Sequence, residues 1–182
     1  LAFPTTAGNT VTMTTTNAAG GGITFADVTD QITTAGGNLT MTSAAGVNLA
    51  SFNTGAGTLT ISAGVGGVLL RNVTAGALSV TAPGGINDSP GATVAIAGNA
   101  SFNSTGGGAV DFGNAAGTLV TFGSVAFNGG VVSIAEDDAT LLAESATVPV
   151  LTATAGLTLT STAGITDAAD TDVTVTLAAT LT

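Results

Sequence analysis

The sequence contains no lysine, histidine, cysteine, tryptophan or tyrosine, and its single basic residue is Arg71. Eleven acidic residues give the chain a formal net charge of −10. One arginine cannot form the basic surface that nucleic-acid phosphates or anionic membranes require, so both partners are excluded. Without cysteine the chain has no disulfide framework and no thiolate metal site. Without histidine it lacks the commonest general base, and we expect no enzymatic activity and no catalytic residue.

Long hydrophobic runs are also missing, although 45% of the 182 residues are hydrophobic and only 7% are charged. This composition is too apolar for a disordered chain. Gly, Thr and Asn interrupt every apolar run well before the roughly 18 residues of a membrane helix, so we expect no membrane insertion. Strand-forming residues dominate and no helical period of useful length occurs, which predicts an all-β fold. The sequence begins at Leu1 without a leader segment, and we interpret it as a mature form or a piece of a longer chain.

A short apolar triplet recurs along the first half of the chain. Leu39-Thr40-Met41, Leu59-Thr60-Ile61 and Leu78-Ser79-Val80 begin 20 and then 19 residues apart. Two further sets keep the same step: Val47-Asn48-Leu49, Val68-Leu69-Leu70 and Ile86-Asn87-Asp88, and then Phe52, Val73 and Val94. Three short apolar segments in each turn of about 20 residues predict a chain wound into a three-sided coil.

The fold follows from how one triplet can bury its side chains. In a strand the first and third residues point to the same side, so a triplet hides both only when other coils lie above and below it. We therefore predict a right-handed parallel β-helix (β-solenoid) with about 20 residues and three short strands per coil. Residues 1–182 would form one array of about nine coils, roughly 40 Å long. The predicted interior consists of Leu39, Met41, Leu59, Ile61, Leu78, Val80, Phe102, Phe122 and Leu159.

Longer phrases also repeat. NAAGGGITFADV (17–28) returns as NAAGTLVTFGSV (114–125), 97 residues later, and INDSPGATVAI (86–96) returns as ITDAADTDVTV (165–175), 79 residues later. Further triplets keep the pitch in the steps from residue 100 to 120 and from 110 to 132. The segment 136–149 is the least regular, and we expect a protruding loop or a bulged corner there. No segment has the polar or helical character of an end cap, so we predict open ends.

Two phrases carry a resemblance to known proteins: GNAAGTLVTFGSVAFNGGVVSIAEDDATLL (113–142) and AGLTLTSTAGITDAADTDVTVT (155–176). They resemble the bacterial β-strand-repeat giant surface proteins and the repeats of filamentous-haemagglutinin-like adhesins. The resemblance implies a right-handed parallel β-helix that is secreted to the cell surface or beyond. It also implies a structural or adhesive role, with a surface glycan, a host or a substratum as the conceivable ligand. These motifs specify the architecture and leave the ligand open.

Two other functions fit parts of the sequence. Glu136-Asp137-Asp138 and the set Asp167, Asp170 and Asp172 could supply oxygen ligands to calcium, and the longer echo places Asp88 and Asp167 at the same repeat position. A calcium-stabilised, carbohydrate-binding solenoid is therefore an alternative, although the spacings match no known calcium loop. Thr-x-Thr pairs recur along the chain, and a flat threonine array is typical of ice-binding solenoids. Threonine is equally an ordinary outward-facing strand residue.

The preferred hypothesis is a structural component of an extracellular bacterial fibre or adhesin shaft, in which β-solenoid coils stack along one axis. Its main partner would be itself, through end-to-end stacking of subunits or continuation of the same chain. The acidic surface, with almost no opposite charge, would discourage sideways clumping. This hypothesis assigns no catalytic residue, no metal ligand and no cofactor, and it treats Arg71 as a surface charge at a corner of the coil.

Overall fold

The computed structural model describes residues 1–4, 6–17, 19, 21–25, 27 and 29–182, and these residues form an all-β fold without a helix. The first ten strands are β1 Ala2–Phe3, β2 Thr10–Thr15, β3 Ile23–Thr24, β4 Gln31–Thr34, β5 Asn38–Ser43, β6 Val47–Asn48, β7 Ser51–Asn53, β8 Thr58–Ala63, β9 Val68–Leu70 and β10 Asn72–Ala75. The next ten are β11 Ala77–Ala82, β12 Ile86–Asp88, β13 Thr93–Ser104, β14 Val110–Phe112, β15 Leu119–Glu136, β16 Thr140–Leu142, β17 Leu151–Ser161, β18 Ile165–Asp167, β19 Val173–Val175 and β20 Ala179–Leu181.

The strands stack in parallel on three faces of one solenoid, which confirms the predicted parallel β-helix. Face 1 contains β1, β4, β7, β10 and the first parts of β13 and β15. Face 2 contains β2, β5, β8, β11, the later part of β13, the middle of β15, the start of β17 and β19. Face 3 contains β3, β6, β9, β12, β14, the ends of β15 and β17, and β20. The β16–β18 stack continues from β15 at the edge between faces 1 and 2.

The coils are fewer and longer than the sequence predicted. On face 3, seven one-turn steps lead from Ile23 to Ala179, an average of about 22 residues per turn. The eight layers joined by these steps span roughly 34 Å at one strand spacing per step. The expected nine coils of about 20 residues were too many because the later coils carry longer corners, such as residues 113–118 and 143–150. The right-handed winding stays a prediction that rests on the general handedness of parallel crossovers.

The predicted interior is confirmed. All nine residues named from the sequence are at most 3% exposed, and Leu39, Met41 and Leu59 are completely buried. In the middle of the solenoid the core becomes aromatic: the rings of Phe102 and Phe112 stack with centroids 4.3 Å apart, and Phe122 packs against both. The core is therefore one continuous column that every coil shares with its neighbours.

The register of the recurring triplets is confirmed as well. Leu39 pairs with Leu59 and Leu59 with Leu78, while Phe52, Val73 and Val94 stack on face 1. The step from 110 to 132 is a true turn on face 3. The step from 100 to 120 is wrong, because Ala100 lies on face 2 and pairs with Val125, whereas Val120 lies on face 1. Triplets on different faces look alike, so spacing alone could not separate them.

The two long echoes do not stack on their own copies. Leu78 lies on face 2, but its echo Leu157 lies on face 3. Likewise Ile23 lies on face 3, and its counterpart Val120 lies on face 1. Each phrase has moved on by one face, which shows that the three faces accept the same sequence. Four residues of the first copy, Ala18, Gly20, Ala26 and Val28, lie outside the described residues.

The irregular segment after Glu136 lies against the solenoid, contrary to the expected protruding loop. Residues 143–150 fold back over face 2, where Ser101 Oγ lies 2.8 Å from Ser145 Oγ and 2.7 Å from Thr147 Oγ1. The outward-facing Ser101 is therefore only 2% exposed, and Val148 of the loop is buried. Hydroxyl groups on both partners hold this strap in place, and the sequence gave no sign that they would meet.

Glycine is required at the corner between faces 1 and 2, where successive turns approach most closely. A Cβ added at Gly76 would lie 2.2 Å from the carbonyl oxygen of Ala56 in the preceding coil. We expect Gly76→Ala to lower the free energy of unfolding by about 1–3 kcal/mol, the usual cost of overpacking. Urea denaturation measures the change.

The matched control is Gly85→Ala, whose new methyl group would meet the side-chain end of Asn87 at 3.2 Å and could push it aside. We expect this variant to lose much less stability. Equal losses in the two variants would contradict a backbone-to-backbone contact at Gly76.

Candidate functional site

The last coil leaves core positions uncovered. Val173 lies directly above Leu151 and Leu181 directly above Leu159, in the same inward rows. Leu151 and Leu159 are completely buried, whereas Val173 is 40% and Leu181 58% exposed. The difference arises because no coil lies above the second pair. An apolar cavity of about 300 Å³ opens here, lined by Leu142, Leu157, Ile165, Thr166, Asp167, Val173, Val175, Ala179 and Leu181.

The first coil shows the same pattern more weakly. Val11 and Met13 lie directly beside Leu39 and Met41 of the second coil and are only partly buried, while their neighbours are fully buried. The strands of the first and last coils thus form the outer surfaces at the two ends of the described solenoid. Each end presents apolar side chains together with the edge of a parallel sheet, a surface suited to pairing with another strand.

The acidic segment at residues 136–138 completes the sheet instead of forming an open acidic patch. Above Val120 and Phe122, face 1 has no regular strand, and carboxylates bind the exposed edge. Asp137 Oδ2 accepts the Val120 N–H at 2.7 Å, and Glu136 Oε1 accepts the Phe122 N–H at 2.9 Å. Two of the three proposed calcium ligands are thereby engaged with the backbone.

Glu136 is the unusual member of this segment because its side chain points into the core. It continues the inward alternation of Val132 and Ile134 and is only 3% exposed. Its Oε2 and the Thr140 hydroxyl are both buried without a well-oriented hydrogen-bond partner. Burial raises the pKa of Glu136 to about 7, although donors from Thr140 and the Phe122 N–H favour the charged form. A proton on Oε2 would supply the missing donor. The alternation up to Glu136 was visible in the sequence, and it could have identified this buried carboxyl.

The second calcium hypothesis, based on Asp167, Asp170 and Asp172, is not supported by the geometry. Within the described residues, no three Asp or Glu side chains come together as a metal-binding group. Asp88 and Asp167 do not share a repeat position: Asp88 lies on face 3, and Asp167 belongs to the β16–β18 stack. Asp88 accepts the Gly113 N–H at 2.9 Å, and burial raises the pKa of its carboxyl. Asp167 is exposed.

The Thr-x-Thr pairs form two aligned rows on part of face 2. One row runs through Thr12, Thr40, Thr60 and Ser79, and the other through Thr14, Thr42, Ser62 and Thr81. Each row carries one outward hydroxyl per coil over four coils. The next member of the first row, Ser101, is covered by the strap, so the array ends there.

The titration of Glu136 predicts a pH-dependent stability. The folded chain holds this proton up to a pH of about 7, whereas the unfolded carboxyl loses it near 4.5. Between these values the folded state binds more protons, so the free energy of unfolding falls as the pH rises. The loss approaches roughly 3 kcal/mol above pH 7.

We expect Glu136→Gln to remove most of this slope, because an amide accepts the Phe122 N–H without titrating. Asp138→Asn, which changes an exposed neighbour, should leave most of the slope in place. Urea denaturation between pH 4.5 and 8 measures all three proteins. A wild-type stability that increases over this range would contradict the assignment.

The described residues include no helix with the length and hydropathy needed to cross a membrane. No protein-family model matches the chain, and neither curated proteins nor solved structures give a match.

Proposed function

We propose that this chain forms part of the shaft of an extracellular bacterial fibre or adhesin, in which solenoid coils stack along one axis. The observation that supports this role most strongly is the uncovered last coil. Val173 and Leu181 occupy positions that are fully buried one turn earlier. A further coil of the same construction would bury them and continue all three faces. The role is mechanical and needs no catalytic residue.

The hydrogen-bond ladder gives such a shaft its stiffness. Consecutive coils are joined along three faces, so bending the long axis would stretch backbone hydrogen bonds on one side. The charge of the chain favours growth along the axis over lateral contact. With eleven acidic residues and one basic residue, the sides of two shafts repel each other, while the apolar ends carry the attractive surface.

Secretion to the cell surface is part of this proposal. It is supported by the absence of cysteine, by the low number of charges and by the resemblance to adhesin repeats. Protease treatment of intact source cells, followed by detection with an antibody against this chain, tests the location. Accessible antigen supports it, and antigen protected until the cells are lysed contradicts it.

End-to-end association is the direct test of the proposed role. We expect the purified chain to associate with increasing concentration in sedimentation experiments and to form thin rods in negative-stain micrographs. Replacing Val173 and Leu181 together by Glu should abolish the association, because two charges would have to be buried at the joint. The control replaces the outward-facing Thr174 and Thr180 by Glu on the same two strands, with the same added charge.

The control variant should associate almost as well as the wild type. Retention of the rods in the Val173/Leu181 variant would show that the last coil is not the joint. A wild-type chain that stays monomeric at all concentrations, with no filaments in native material, would contradict the shaft itself.

Ice binding is the second candidate, and the aligned hydroxyl rows on face 2 favour it. If it holds, the wild type shows thermal hysteresis, and Thr40→Lys abolishes it by placing a long charged side chain in the middle of the rows. Thr74→Lys, on the exposed side of face 1, serves as the control and retains the activity. Absence of hysteresis in the wild type would remove this candidate.

A further inference from the structure

The only basic residue of the chain lies at an unusually short corner. Arg71 is the single residue between β9 and β10, where face 3 passes into face 1. It is half-buried, and its Nε atom is buried without a hydrogen-bond partner among the described residues. A buried donor of a charged group is costly when it is unpaired, so a partner from outside the chain would be favourable.

A recess next to Arg71 results from unequal corner lengths in successive coils. The next corner contains four residues, Ser89–Ala92, which form a tight turn closed by the Ala92 N–H on the Ser89 carbonyl at 3.0 Å. Pro90 and Gly91, with a φ of 72°, suit the two central positions of a type II turn. This rigid turn stands beside the one-residue corner, and a cavity of about 270 Å³ remains between them, lined by Arg71, Asn72, Ser89, Pro90, Gly91 and Ala92.

The polar groups of this recess are mainly hydrogen-bond donors. Asn72 uses its Oδ1 to accept the Thr93 N–H at 3.0 Å, so its NH₂ group is available for another partner. Ser89 contributes a hydroxyl group. The nearest carboxylate in sequence, Asp88, is engaged with the Gly113 N–H of the following coil, and no acidic residue lines the cavity. A guanidinium, an amide and a hydroxyl thus surround a space without a negative charge.

We propose that this recess binds the carboxylate of a uronic acid unit in an acidic polysaccharide. A guanidinium can hold a carboxylate through two parallel hydrogen bonds. The cavity is larger than one carboxylate needs, and Asn72 and Ser89 offer hydrogen bonds to ring hydroxyls. Pro90 provides an apolar wall for the C–H groups of the sugar. The assignment does not depend on how the coils assemble.

The net charge of the chain sets the expected strength and selectivity. At −10 the protein repels anions at long range, so the attraction is confined to the recess. We expect galacturonate to bind with a dissociation constant in the millimolar range (on the order of 1 mM). Uncharged galactose, which lacks the carboxylate but retains most hydroxyls, should bind at least about tenfold more weakly.

NMR titration of the chain with galacturonate, glucuronate, galactose and acetate tests the proposal. The amides of residues 71, 72 and 89–92 should shift with the two uronates and much less with acetate, which lacks the hydroxyls. Arg71→Gln should weaken uronate binding at least about tenfold. Arg71→Lys should recover only part of it, because an ammonium cannot form the paired hydrogen bonds.

The control is Gln31→Glu, an exposed change on β4 that alters the net charge by the same amount as Arg71→Gln. It should bind uronates like the wild type, and thermal unfolding checks that both variants are folded. Equal weakening in both variants, or equal binding of galactose and galacturonate, would overturn the proposal. Loss of self-association in Arg71→Gln without any uronate binding would also overturn it and assign the recess to a carboxylate of a second copy.

Discussion

Backbone hydrogen bonds between successive coils are the constraint from which the other features of this molecule follow. Each strand is too short to bury its own apolar side chains, and it pairs with strands one turn before and after it in the sequence. The inward rows through Leu39, Leu59 and Leu78 fill the space that this pairing encloses. Pairing and burial therefore depend on each other, and the coils stabilise one another as neighbours in a one-dimensional stack.

Where the ladder is irregular, side chains replace backbone partners. The carboxylates of Glu136 and Asp137 bind the N–H groups that a regular strand on face 1 would have bound. The strap at residues 143–150 adds hydroxyl contacts to Ser101 on face 2. One of these substitutions places a carboxyl group in the core, and its raised pKa follows directly from that burial. The irregular part of the chain is thus where the stability becomes sensitive to pH.

The equivalence of the three faces has a functional consequence. A uniform scaffold of this kind supplies length and stiffness, and local differences between coils supply any specific site. At Arg71 the difference is only one of corner length, since one residue stands beside a turn of four. At the ends the difference is the missing neighbour, which exposes side chains such as Leu181. Assembly and ligand binding would therefore use separate parts of the same scaffold.

The sequence by itself determined the all-β class, the parallel coil, the interior residues and the pairing of the first four coils. It could do so because an inward residue must be apolar at every turn, and this requirement leaves a period in the sequence. Tertiary structure alone decided the number of coils, the face on which each echo lies, the strap over Ser101 and the recess beside Arg71. These features depend on corner lengths and on contacts between segments such as residues 101 and 145–147, which impose no periodic pattern on the chain.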